Sequence, residues 1–594
     1  MAESSNEIAL DRPTVFKQQD SALASAGPAF GPFLLLAILA LCAQFRPILP
    51  VDETRYLGVA WEMWLRGDQL VPYQNGAPYA HKPPLLFWLI QSGWWLFGLQ
   101  EVWPRLLPSL FAAGHLVFSF LAIRRLLQWD STLRRRRDIE PGRAEHVSSL
   151  THGQSLAQAS LWILSGSLLW TYFATGIMFD MMLSMFVVMA WYGLFESGWA
   201  WFERRERGAM LKAFGWFAIG LFGALMSKGP VALLHIMPLA LGLPFLLRDK
   251  QASMMWWLSL LLACLIACSS MLGWALAAAS AGGEVYAKAI LWGQTAGRVV
   301  KSFAHRAPPW FYVASMPVMF APWLFWPRLW INWWQSVTRI RQSGLVESLA
   351  RSRLLAGTFV LGLLVPVLVL SSVSGKQMQY LLPEFTWIAL LIAGALTRRD
   401  SGIKKAFRWH DFLPVFCASG LILFLPFASQ MHWLEHHEEP EWPLMLACAA
   451  SLLAYGLAVQ WIRLRGGISV AIPAIAVASA LSSASIGLGM TGLMGPAWDM
   501  GPASQAVSSW QQAGRPLAWL GYYHGQFHWK GRLQSPLVVV KADQAQRWLE
   551  ENPTGILLLA ADPNPPAGPW AEIARYPFRG QFIVALAHQA ANRN

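Results

Sequence analysis

Residues 51–64 read VDETRYLGVAWEMW, so that two adjacent carboxylates, Asp52 and Glu53, follow directly on a long apolar run. Thirty residues on, AHKPPL supplies His81 and Lys82. GIMFDMML sets Asp180 in an otherwise apolar stretch, GRVVKSFAHR brings Arg298, Lys301, His305 and Arg306, and SVSGKQMQYLLPEF adds Lys376 and Tyr380. A positioned carboxylate orients or deprotonates an attacking hydroxyl, and Lys and Arg stabilise phosphate oxygens. Asp52, Glu53 and Asp180 are therefore the candidate acids. Arg55, His81, Lys82, Arg298, Lys301, His305, Lys376 and Tyr380 are the candidate binders of a phosphorylated ligand. Each has a plainer reading: Asp52 suits a helix cap, Arg298 a headgroup anchor, and Lys228 in MSKGPV a span end that snorkels to water, the reading favoured for it. Asp180 resists such a reading, because an unpartnered carboxylate inside an apolar stretch is destabilising.

The elements that must position these residues are membrane helices. Of the 594 residues 55% are hydrophobic and only 13% charged. Windows of ~20 apolar residues predict about thirteen spans, at 31–48, 105–126, 156–175, 181–202, 211–227, 230–247, 255–278, 309–327, 353–372, 380–396, 412–429, 442–462 and 468–490. Clusters at Arg134 to Arg137, at Arg204, Arg205 and Arg207, and at Arg398, Arg399, Lys404 and Lys405 fall in every second connection. Positive loops stay cytoplasmic, so the N-terminus is expected inside and the C-terminal segment outside. The net charge of +13 is largely this topological signal, and no nucleic-acid partner is expected. The five cysteines all fall in predicted spans as packing residues.

Three segments make up the expected organisation: a cytoplasmic stretch 1–30, a membrane domain 31–490 with a long outer loop at 49–104, and a domain 491–594 outside the membrane. Within the loop, residues 53–66 have helical period, with Leu57, Trp61 and Trp64 on one stripe and Gly67 as a stop, which predicts a helix lying in the membrane surface. Asn75-Gly76 predicts a turn. Lys82, kept extended by Pro83, should point back toward Asp52. After residue 491 the runs PLVVV, GILLLAA and FIVALA, with a helical ADQAQRWLEE, predict a small α/β domain.

DETRY after the first span, KPPL, MFDMMLS, SKGP, GR followed by HRAPPWFY, and GKQMQYLLP together resemble the bacterial aminoarabinose transferases. These stand in a wider group with the protein O-mannosyltransferases, among the membrane-embedded C-type glycosyltransferases. The ordered set runs over roughly residues 31–396. By that resemblance Asp52 is the essential acid, Arg55 and Tyr56 line its cavity, Lys82 and Arg298 hold a polyprenyl phosphate, and Tyr380 lines the same space. The resemblance also implies a metal held near an acid matching Asp180, at positions where this chain has His81, Gly293 and Gln294. With those two ligand types replaced, no cofactor is firmly predicted, and His81 with Asp180 and His305 is the alternative divalent-metal site, which nothing in the spacing demands.

The function expected is transfer of a sugar from a polyprenyl-phosphate carrier to a lipid or glycan acceptor such as lipid A. The resemblance places it at the outer face of a bacterial inner membrane, in a monomer surrounded by membrane lipids. A single inverting displacement is expected, because a lipid-phosphate leaving group departs as an anion. Alternatives are a polyprenyl-lipid flippase, a protein O-mannosyltransferase and an envelope scaffold. Transporters place ionisable groups at the midplane and often show two related halves, whereas here the charges gather in outer loops and no repeat is visible.

Overall fold

The computed structural model describes residues 30–135, 143–247, 254–293, 306–343, 352–397, 412–430, 442–465, 467–561, 568 and 570–588. Arg298, Lys301, His305 and Gln294 lie outside these residues. The chain is dominated by helices. In order they are α1 (Gly31–Ala43), α2 (Asp52–Arg66), α3 (Leu85–Phe97), α4 (Val102–Arg135), α5 (Arg143–Ser165), α6 (Leu168–Phe173), α7 (Phe179–Gly198), α8 (Arg207–Lys228), α9 (Val231–Leu247) and α10 (Met254–Lys288). There follow α11 (Phe311–Met319), α12 (Pro327–Ser343), α13 (Arg353–Phe359), α14 (Phe385–Thr397), α15 (Leu413–Gln430), α16 (Trp442–Arg465) and α17 (Ile468–Trp498). Among the described residues seven helices are long and apolar enough to cross a membrane.

Several predicted spans are shorter or broken in the structure, for local reasons. The run 156–175 divides into α5 and α6 at Gly166, where a Cβ would come within 2.7 Å of the Ala476 backbone on α17. The run 309–327 gives only α11 and a 3-10 turn at Trp323–Phe325, with Pro317, Pro322 and Pro327 withholding amide donors. α1, α9 and α14 are apolar helices of 10–17 residues. Two apolar cores fill the bundle, one between α1, α2, α3, α5, α7 and α17 and one between α4, α7, α8, α9 and α10.

α2 begins and ends where the periodicity predicts, and Gly67 closes it with φ 65° in the left-handed region that glycine favours. One expectation about it is corrected: Asp52 makes no capping bond and stands as the first helical residue, with Val51 at the cap. Leu57 and Val59 are buried in the bundle core, while Gly58 and Trp61 meet the C-terminal segment. A Cβ on Gly58 would meet the Gly525 carbonyl at 2.9 Å, and the Trp61 indole donates to Leu533 O at 2.9 Å.

That roof is a five-stranded sheet in the order β4-β3-β5-β7-β6, built from β3 (Leu517–Leu520), β4 (Val538–Val540), β5 (Ile556–Ala561), β6 (Trp570–Phe578) and β7 (Gln581–His588). β3 pairs in parallel with β4 and β5, while β7 pairs antiparallel with β5 and β6. α18 (Gly501–Gln512) covers one face and α19 (Ala545–Glu551) the other. The Asn75-Gly76 hairpin tip is clamped to it, since the Asn75 side chain donates to Leu537 O at 2.9 Å and accepts from Leu537 N at 2.8 Å.

Under the roof His528 is buried against Glu62. Its Nδ1 shares a hydrogen bond of 3.0 Å with the Tyr523 hydroxyl, and its Nε2 stands 3.5 Å from Glu62. Burial pushes the imidazole down to about 4, so the folded protein resists a proton that the unfolded chain accepts near 6.5. The stability His528 supports is complete above pH ~6.5 and declines as pH falls from there toward 4, by roughly 3 kcal/mol at most. A His528→Gln variant is expected to lose this component. The gap between wild-type and variant melting temperatures should therefore narrow below pH ~6.5; a gap constant with pH would contradict the assignment.

Candidate functional site

The site is built on the buried Glu53. Its two oxygens accept from the Arg46 guanidinium at 2.6 and 2.8 Å, from Leu49 N at 2.8 Å and from Ile177 N at 2.9 Å. Arg46 also donates to Thr175 O at 2.8 Å. Burial alone would raise Glu53, but the charge and hydrogen bonds of Arg46, with the two amides, hold it below its ordinary value. With four donors already in place, Glu53 has no free acceptor for a substrate proton. These bonds tie the end of α1, the start of α2 and the turn before α7 together.

One residue earlier, Asp52 differs in every respect. Its side chain is about half exposed (45%) and its ion-pair partner among the described residues is Arg55, a turn along the same helix. The Arg55 guanidinium lies 5.3 Å from the Tyr56 ring centre. Tyr56 packs edge-on against Phe179 at 5.0 Å, and the Lys82 ammonium sits 5.5 Å over the other side of that system, on the Phe179 ring. Burial first, then the negative charge of Asp52 and the neighbouring Tyr79, pushes the Tyr56 phenol well above its ordinary range, with Asp180 adding to it. Asp52, Arg55, Tyr56, Lys82 and Asp180 therefore share one electrostatic neighbourhood. His81 is exposed, with its ring 5.1 Å from Tyr79.

Asp180, buried in the first turn of α7, is ion-paired with Lys228 at the end of α8. Lys228 in turn stands 5.0 Å over the Tyr380 ring. The snorkelling reading of Lys228 is thus corrected: only 9% of its side chain is exposed, and the Gly229-Pro230 corner after it ends α8 beside the site. Lys376, expected to bind substrate, spends its ammonium on Ala307 O at 2.8 Å and Val373 O at 2.5 Å. It straps residues 306–307 to the Ser374–Gly375 backbone.

Sequence reasoning missed three contributors. Arg46 looked like any residue flanking a span. The pair between His235 on α9 and Glu384, buried at 2.6 Å, ties the segment after Lys228 to the one after Tyr380. The third is His524, in the roof loop next to the Gly525 that rests on Gly58. Burial, and after it the positive charge of Arg55, lowers this imidazole while Asp52 raises it, which puts it in reach of the Asp52–Arg55 pair. The cluster YYHGQFHW was the available signal.

Among the described residues no three His, Cys, Asp or Glu side chains gather as ligands, Gly293 offers no side-chain donor, and the Lys228 ammonium is paired with the Asp180 carboxylate; Gln294 and His305 lie outside the described residues.

This helical architecture, with an acid at a bundle end under a sheet roof, has counterparts among solved structures. It matches ArnT from Cupriavidus metallidurans in the apo state with a TM-score of 0.68 at 16% identity, over 97% of this chain and 99% of that one. The same protein bound to undecaprenyl phosphate matches with a TM-score of 0.64 at 18% identity, over 94% and 98%. In sequence the chain is similar to aminoarabinose transferases. It is 28% identical over 420 residues to the undecaprenyl phosphate-alpha-4-amino-4-deoxy-L-arabinose arabinosyl transferase of Pseudomonas aeruginosa (strain UCBPP-PA14), covering 69% of this chain and 67% of that protein. To the second such enzyme of Pseudomonas fluorescens (strain Pf0-1) it is 29% identical over 377 residues, 62% of this chain and 59% of the relative. No protein-family profile matches the chain.

Removing Arg46 would leave Glu53 buried and unpaired, which costs about 3–5 kcal/mol. Arg46→Ala is expected to lower the unfolding temperature sharply. Adding Glu53→Gln, which removes the stranded charge, should recover part of the loss; a double variant as unstable as the two losses summed would contradict a coupled pair.

Proposed function

We propose that the protein transfers a sugar from a polyprenyl-phosphate donor, the carrier named for its relatives, to a lipid or glycan acceptor of the cell envelope such as lipid A. The observation that carries this reading is the contrast at the start of α2. One carboxylate, Asp52, is left accessible beside Arg55, Tyr56 and Lys82, while its neighbour Glu53 is fully bound. Such a pair of roles suits a base that must meet an acceptor hydroxyl or phosphate while its helix is held still.

Chemically, the bond between the anomeric carbon and the donor phosphate oxygen breaks, and the bonding pair leaves with the polyprenyl phosphate. That anion needs no proton. Lys82 meets its charge, and Arg298 is a further contact by resemblance. The acceptor oxygen attacks from the opposite face, and Asp52 takes its proton or orients it if it is already ionised. A single displacement inverts the anomeric centre. Asp180 and Lys228 form a neutral pair beneath, and Tyr380 lines the same space. The bundle is embedded with about thirteen spans, its N-terminus cytoplasmic, and residues 491–594 form an outer domain covering the acceptor side. The active form is a monomer.

Asp52→Asn keeps size and removes the charge. Transfer measured in reconstituted membranes should fall by about 10²–10⁴-fold with donor binding retained; wild-type turnover would leave Asp52 without a catalytic part. Lys82→Ala should weaken donor binding by about 1.5–3 kcal/mol, the range of a hydrogen bond to a charged group. Unchanged affinity for undecaprenyl phosphate would remove Lys82 from the phosphate contact.

Because Lys228 holds Asp180, exhaustive chelation is expected to leave turnover unchanged. Metal analysis on the same sample, showing stoichiometric metal together with lost activity, would overturn that expectation.

A further inference from the structure

β3 is the middle one of the three parallel strands in the roof, with β4 on one side and β5 on the other. Open sheets of this kind meet their ligands at the carboxyl ends of parallel strands, where the strand order reverses. The loop that leaves the carboxyl end of β3, residues 521–528, packs on α2. Asp52, Arg55, Gly58 and Glu62 recur at three- and four-residue spacing and so share one face of that helix. His528 stands against Glu62, and the Gly525 carbonyl is 2.9 Å from a Cβ on Gly58, one turn nearer the helix start. His524 comes next in that direction, toward Arg55 and Asp52.

The loop holds the His524 imidazole in place without bonding to it. His524 N donates to Oε1 of the buried Gln526 at 3.2 Å, and the Gln74 amide donates to Tyr523 O at 3.1 Å. Gly525 supplies the left-handed turn that follows, with φ 78°. The exposed Tyr522 ring packs edge-on against the imidazole at 4.7 Å. Of the two ring nitrogens Nδ1 is closed off without a hydrogen-bond partner, while the ring as a whole is only half-buried. Nε2 is thus the nitrogen that a ligand can reach. A buried N–H is rarely left unpaired, which puts the proton on Nε2 and makes it a donor. The charges acting on the ring are Arg55 and Asp52 on α2 and Arg579 at the turn between β6 and β7. Burial first, then Arg55, lowers the imidazole, so it is neutral at pH 7.

We infer that His524 is a substrate-binding residue supplied by the roof, its Nε2 donating to an oxygen of the acceptor headgroup beside Asp52. The carboxylate accepts and the imidazole donates, so the headgroup is gripped from α2 and from the roof at once. The inference rests on the glycosyltransferase reading above.

Two substitutions separate this contact from packing. His524→Phe keeps a flat ring against Tyr522 and removes both nitrogens, whereas His524→Gln keeps a side-chain N–H donor. Kinetics in nanodiscs use lipid A as acceptor and undecaprenyl phosphate-aminoarabinose as donor. His524→Phe is expected to raise KM for lipid A by about 10-fold, the worth of one hydrogen bond, with KM for the donor and the melting temperature unchanged. His524→Gln should recover most of the loss. If the Phe variant matches wild type, or if both KM values move together, the ring only packs and the inference is overturned while the enzyme reading stands.

Histidine-labelled protein gives a second readout that needs no turnover, with the His524 resonance identified by its loss in His524→Gln. Lipid A should shift that resonance and undecaprenyl phosphate should not. The titration midpoint of His524 should fall in Asp52→Asn and rise in Arg55→Ala; a midpoint that neither variant moves would place the ring away from the pair and overturn the inference. If wild type transfers no sugar while lipid A still shifts His524, the contact stands and the enzyme reading fails. A resonance indifferent to lipid A overturns the contact whether or not sugar is transferred.

Discussion

The Arg46–Glu53 pair is the constraint on which this architecture hangs. A carboxylate placed inside a membrane protein must be fully satisfied or it destabilises the fold, and Glu53 is satisfied by donors from three separate stretches of chain: Arg46, Leu49 and Ile177. Those stretches are the end of α1, the entry to α2 and the turn into α7. Once they are joined, the first turn of α2 has one place to be, and Asp52 is held at the rim by a bond its neighbour makes. Positioning and chemistry are thus divided between adjacent residues of the same type.

How far the sequence carried this depends on the distance over which partners act. Helix α2, its stop at Gly67, the Asn75-Gly76 turn and three of the five roof strands were legible, because each is written in local period or turn chemistry. Asp52, Asp180, Lys82 and Tyr380 were legible as a set because ionisable residues are conspicuous in an apolar chain. What stayed hidden was pairing. Asp180 and Lys228 are 48 positions apart, and Glu53 reaches Ile177 across 124; neither contact leaves a mark in spacing. For the same reason nothing in the sequence marks Glu53 as the partner of Arg46, or Lys376 as a donor to the carbonyls of Ala307 and Val373. A charged side chain in sequence does not declare whether its charge is already spoken for.

The site also shows why counting apolar windows overstates regularity. α5 and α6 separate where Gly166 lets α17 approach, and the stretch before α12 is interrupted by prolines. These breaks are not defects of an ideal span. The break after α6 brings Thr175 to Arg46 and Ile177 to Glu53.

The Trp61 indole and the Leu533 carbonyl that accepts from it are 472 residues apart, and the chain is made from its N-terminus. The helix bearing Asp52, with its tryptophan stripe, therefore enters the membrane long before the sheet that covers it has been synthesised. During that interval Glu62 has no His528 beside it and Gly58 no carbonyl above it. The cover over α2 is a product of the last stage of biogenesis, so a chain truncated before Gly525 would keep its membrane helices and the acids, Lys and Arg they carry, yet leave Gly58 and Trp61 without their partners.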